Sequence, residues 1–119
     1  MDDKLISPIS TQTAEHYTWG NQCDGWHLVK SDSLSIIQER MPPGTSEIKH
    51  YHRQSRQFFF ILSGEATMEI GGKTLVLRMH EGVEIPPFVA HQMRNESEND
   101  LWFTVTSTPK SHGDRVSLP

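Results

Sequence analysis

The chain has 119 residues, enough for one hydrophobic core and not for two. Apolar residues make up only 34% but gather in short runs such as FFFIL and LWFTV, and a net charge of −4 gives no basic face for a phosphate backbone, so nucleic acid is not an expected partner. No apolar run approaches the roughly 20 residues that span a bilayer, and MDDKLISPIS lacks the basic and apolar regions of a secretory signal, so a cytoplasmic protein without membrane contact is expected.

Met1 to Thr13 has no hydrophobic period and fits either disorder or a strand lent to a partner. Ala14 to Trp26 carries Tyr17, Trp19 and Trp26 among Gly20, Gly25 and polar residues, and reads as an irregular lead-in whose aromatics cover one end of a core. Cys23, in NQCDGW, reads as an inert loop cysteine. It has no partner for an intrachain disulfide, which suits a reducing compartment, and no basic neighbour to lower its pKa. His16 and His27 stand at no ligand spacing and read as packing or surface residues.

Leu34 to Met41, LSIIQERM, is a strand stopped by Pro42-Pro43-Gly44. Ile36, Gln38 and Arg40 share one face, and Ile37, Glu39 and Met41 share the other. If the first face looks inward, Gln38 and Arg40 line a pocket; otherwise they are solvated. Ile48 to His52 and Gln57 to Leu62 form the next strand pair. Glu65 to Ile70 and Leu75 to Met79 follow as a hairpin, because Gly71-Gly72 tolerates the positive φ of a two-residue turn. Val83 to Ile85 ends at Pro86-Pro87, which marks a strand end or a sheet edge. His91 to Asn95 and Leu101 to Ser107 are the last strands, separated by the polar turn Glu96 to Asp100. Many short strands cut by Gly and Pro turns, without a helical period, indicate an all-β barrel or sandwich. The polar tail from Pro109 to Pro119 either packs back on the barrel or trails into solvent.

His50 and His52 alternate on one strand face with Cα atoms roughly 7 Å apart, so both imidazoles can reach one ion. Gln57 returns from the antiparallel neighbour across the turn Arg53 to Arg56, and GVEIPPFVAHQMRN offers His91 as a fourth ligand. Three imidazoles and one side-chain oxygen suit a divalent transition metal such as Zn, Ni, Mn, Fe or Co, and leave positions open for water or substrate. Phe59 and Met93 share the parity of these ligands and are, with Gln38 and Arg40, the candidate substrate-contacting residues; filling of the barrel core is the plainer role for Phe59 and Met93.

Gly44, five residues, His50-x-His52, four residues, Gln57, six residues and Gly64 resembles the first motif of the cupin superfamily. Gly82 through Pro86, His91 and Asn95 resembles its second. The resemblance implies a jelly-roll β-barrel over residues 31–108, a lead-in over 1–30, a tail over 109–119, and a homodimer that pairs either through sheet edges or by exchange of the lead-in. It also implies that the motif histidines converge on a metal inside the barrel. Three departures stand out: Gln57 replaces the usual glutamate, Phe88 replaces the usual glycine, and Gly82 stands two residues closer to Pro86 than is common.

Fold does not select a reaction. The expected function is Lewis-acid catalysis, isomerase or lyase in type, on a small polar metabolite, because a neutral glutamine leaves a divalent ion its full charge. The alternatives are a metal-dependent dioxygenase and a small-ligand-binding protein without turnover. The ligand set is similar to that of cupins that linearise unsaturated uronates, but their Asp-x-Phe pair and Arg align here with Thr104, Thr106 and Lys110. No acid or base is assigned; Glu39, Arg40 and metal-bound water are candidates by position.

Overall fold

The computed structural model describes residues 6–119. Of the segment Met1 to Thr13, the first five residues therefore lie outside the described residues. Eleven strands occur among them: β1 (Glu15–Trp19), β2 (Cys23–Lys30), β3 (Ser35–Met41), β4 (His50–His52), β5 (Arg56–Ser63), β6 (Ala66–Ile70), β7 (Lys73–Leu77), β8 (Gly82–Ile85), β9 (His91–Arg94), β10 (Leu101–Thr108) and β11 (Arg115–Ser117). They form an antiparallel sheet in the order β1-β2-β3-β10-β5-β8 and a second in the order β11-β4-β9-β6-β7. This is an all-β jelly roll of two antiparallel sheets. Among the described residues, no helix is long and apolar enough to cross a membrane.

Strand alternation builds the core. Ile37 and Met41 of β3, Phe59 and Ile61 of β5, Met68 of β6, Met93 of β9 and Leu101, Phe103 and Val105 of β10 all project inward and are buried. Gly71 and Gly72, both at positive φ, make the β6–β7 turn, and Ile70 pairs with Lys73 across it. β8 ends at Ile85, before the prolines, and lies at a sheet edge, where their missing N–H groups break no ladder.

The region from Ala14 to Trp26 is not irregular. β1 and β2 form a hairpin, and β2 joins β3 in the larger sheet. The inward residues of β2 are Cys23, Gly25 and His27, and the outward ones include Trp26 and Leu28. That pattern carries no hydrophobic alternation by which the strand could be recognised. Cys23 is accordingly not a loop residue: it is fully buried where β2 begins, and burial raises its thiol pKa. The tail packs back on the barrel, where β11 pairs with β4 so that Arg115 faces His52 and Ser117 faces His50.

Candidate metal centre

β4 is only three residues long, and its alternation turns both His50 and His52 inward, each 4% exposed. β9 lies beside it with His50 opposite His91. The three histidines thereby offer ring nitrogens that all lie within 4.8 Å of one another. Nδ1 of His50 donates to the Ile48 carbonyl at 2.6 Å, and Nδ1 of His91 donates to the Val89 carbonyl at 3.0 Å. A carbonyl only accepts, so these bonds put the proton on Nδ1 and leave each Nε2 as a bare lone pair. Burial, as the first cause, lowers the pKa of all three rings, to about 3 for His50 and about 4 for His52. Neutral imidazoles are the form that binds metal.

Gln57 lies on β5, 6% exposed, and its Nε2 donates to Ser107 Oγ of β10 at 3.1 Å. That bond leaves Oε1 buried without a hydrogen-bond partner, in company with both nitrogens of His52 and Nε2 of His91. Buried polar atoms without partners are costly, and here they belong to two of the three imidazoles and to one amide oxygen. The donor set fits a borderline divalent ion. His50, His52 and His91 together could bind a metal.

His50 and His52 border a cavity of about 430 Å³, which is also lined by Tyr17, Glu39, Glu47, Gln57, Phe59 and Arg115; His91 packs against both of their rings without lining it. β3 turns Ile37, Glu39 and Met41 inward, so the two-face choice at this strand falls to the odd-numbered residues. Gln38 and Arg40 consequently do not line the cavity. Arg40 is held on the opposite face by Asp24, 2.7 Å away, and Asp100, 3.3 Å away. Phe59 lines the cavity, whereas Met93 is fully buried in the core. Thr104 and Thr106 occupy the half-buried face of β10; the positions turned inward are Phe103, Val105 and Ser107, which supply no carboxylate either.

The acids come from elsewhere. Burial first, and then the neighbouring Glu47, pushes the Glu39 carboxyl up to about 8. Burial pushes Glu47 up to about 7, although the Met93 backbone N–H donates to its Oε1 at 2.9 Å. The Tyr17 hydroxyl donates to Glu39 Oε1 at 3.4 Å. Tyr17 reaches this wall by lying across Gly25, its partner on β2, where an added Cβ would fall 2.2 Å from the ring. Glu47, Tyr17 and Arg115 are cavity residues that the sequence reading missed. Glu47 sits between strands and Arg115 in a polar tail, and neither carries a local signal. A Tyr paired with a Gly across a hairpin was the one available clue.

Phe88 takes φ 69°, a left-handed conformation that explains why glycine suits this position. Its N–H donates to the His52 carbonyl at 2.6 Å, tying the turn before His91 to the His50–His52 strand.

Residues 37–107 match the family model for the Cupin domain. The chain is 32% identical over 60 residues to Polyketide synthase CurC of Streptomyces cyaneus, covering 50% of this chain and 39% of that one. It is 30% identical over 84 residues to H2HPP isomerase of Bacillus subtilis, covering 70% of this chain and 35% of that one. It thus spans less than two fifths of the length of these two relatives. Among solved structures, KdgF from Halomonas sp. superposes with a TM-score of 0.81 at 14% identity, over 90% of this chain and 96% of that one, a likeness of fold.

Proposed function

The chain belongs to the cupin domain family, and from that premise we propose that it is a metal-dependent enzyme, isomerase or lyase in class, that moves a proton on a small polar metabolite. His50, His52, His91 and Gln57 would hold one divalent ion. The observation that carries this reading is the grouping of three imidazoles, two of which, His50 and His52, border the cavity that also holds the raised carboxyls of Glu39 and Glu47. The similarity to a relative named an isomerase supports the same class.

A bound divalent ion supplies a Lewis acid for a carbonyl or enol oxygen. The neutral amide of Gln57 leaves such an ion its full charge, which favours polarisation over redox cycling. The chain's own residues supply the rest. Glu39, whose carboxyl holds its proton near neutral pH, is the candidate general acid and base, and Tyr17 orients it through Oε1. Ile37, Phe59 and Val105 give the cavity an apolar wall that displaces water from the reacting atoms.

Elemental analysis of protein purified without added metal should find one divalent ion per chain. With that ion in place, enolisable oxo acids and sugars incubated in D₂O should acquire deuterium, read by proton NMR, and Glu39→Gln should slow the exchange at least a hundredfold while metal content holds. Oxygen uptake with Fe(II) bound would instead assign a dioxygenase. Full metal content without exchange on any enolisable compound would assign a binding protein.

A further inference from the structure

We propose that the chain carries a second ligand site, separate from the imidazole cluster, that binds a phosphate or carboxylate group. A second cavity, of about 260 Å³, is lined by His27, Lys30, Ser35, Lys110, His112 and the exposed Asp32, among others.

The backbone is bent to build it. His27 and Lys30 are three apart on β2, a spacing that would set them on opposite faces of a regular strand. A register shift between His27 and Val29 absorbs Leu28, so that His27 pairs with Ile37 and Lys30 pairs with Ser35. Residues 35 and 37 share a face of β3, and the bulge therefore turns Lys30 onto the side of His27 and Ser35.

The side chains gathered there are mostly donors. His27 is 7% exposed, and its Nδ1 has no hydrogen-bond partner. Its ring is wedged against Tyr17, with centroids 5.0 Å apart, and edge-on against His112 at 5.7 Å. Lys30 pairs with Glu15 at 2.9 Å and Lys110 with Asp32 at 2.8 Å, and all four side chains are at least half exposed. Exposed pairs of this kind hold weakly, so both ammonium groups can turn to an incoming anion. Burial, as the first cause, lowers the pKa of His27, with the charge of Lys30 adding to it and that of Glu15 opposing it. Two ammonium groups, two imidazoles and a serine hydroxyl gather here against the exposed carboxylates of Asp32 and Glu15, and a compact oxyanion that takes the place of those carboxylates answers the donors.

The site adjoins the metal centre without belonging to it. His112 lines both cavities, and Ser35 pairs with Ser107, whose hydroxyl accepts from Gln57. Its test is therefore run without metal, and its outcome does not depend on turnover in the first cavity.

Inorganic phosphate titrated into the chelator-treated 119-residue chain should shift the imidazole resonances of His27 and His112 along a saturating curve and leave those of His50 and His91 in place. Lys30→Gln combined with Lys110→Gln should weaken this binding at least tenfold while the far-UV spectrum stays unchanged. Acetate in a parallel titration separates the two groups: tighter phosphate assigns a phosphoryl ligand, and equal or tighter acetate a carboxylate. Unchanged affinity in the double variant, shifts confined to His50, His52 and His91, or no saturable shift with either ion would overturn the site.

Discussion

The amide of Gln57 does two things at once. Nε2 is spent on Ser107, and that bond decides which end of the side chain is left for an ion. Ser107→Ala removes the acceptor and lets the amide rotate, so metal affinity should fall roughly ten- to hundredfold, as for other groups that orient a ligand. Competition with a chromophoric chelator measures this, and an unchanged affinity would mean that packing alone sets the amide. Phe88 raises a different question, that of strain. It is 67% exposed and has little packing to lose, so Phe88→Gly should raise unfolding free energy by about 1 kcal/mol through relief of its left-handed backbone. Urea denaturation reads the gain; a loss would show that the contact between the Phe88 and Tyr51 rings outweighs the strain.

At the scale of elements, the β1–β2 hairpin delivers Tyr17 to the cavity. Gly25 makes room for the ring, and Gly25→Ala should displace it, costing about 1–3 kcal/mol in stability. The Tyr17 hydroxyl bond to Glu39 should be lost in the same variant, and the near-UV spectrum and urea midpoint should both move. A wild-type near-UV spectrum with a lowered midpoint would place the strain elsewhere in the hairpin. The short strands β4 and β9 were legible because each ligand histidine stands at a defined offset from a turn. β1 and β2 were not, because a glycine and a histidine occupy inward positions where aliphatic residues usually announce a strand. β11 was equally silent: its three residues, Arg115 to Ser117, form a strand only because β4 offers a free edge.

For the whole molecule, two sets of groups oppose each other in the pH dependence of metal-free stability. His50 and His52 fall from 6.5 to about 3 and about 4 on folding, so between those values the unfolded chain binds more protons. Their contribution is complete above about pH 6.5 and is lost as pH falls toward 3. Glu39 and Glu47 rise from 4.5 to about 8 and about 7, so the folded chain holds more protons there. Their contribution is complete below about pH 4.5 and is lost as pH rises through 7 and 8. The metal-free chain should therefore be most stable between about pH 4.5 and 6.5, with a urea midpoint that falls on either side. Glu39→Gln should remove much of the alkaline fall. A midpoint that climbs steadily from pH 6 to 9 would mean that the two carboxyls ionise freely in the folded chain.

The sequence alone determined the strand-rich class, most of the barrel strands, and the set His50, His52, Gln57 and His91 as a group worth bringing together. These are local properties, written in alternation, turn residues and spacing along the chain. Tertiary structure decided the rest: that Glu39 and not Gln38 or Arg40 looks inward, that Glu47, Tyr17 and Arg115 share the cavity of His50 and His52, and that a bulge at Leu28 turns Lys30 toward His27. The inner face of a strand is chosen by what the opposing sheet covers. A strand such as β3, with Ile36 on one face and Ile37 on the other, leaves that choice to packing.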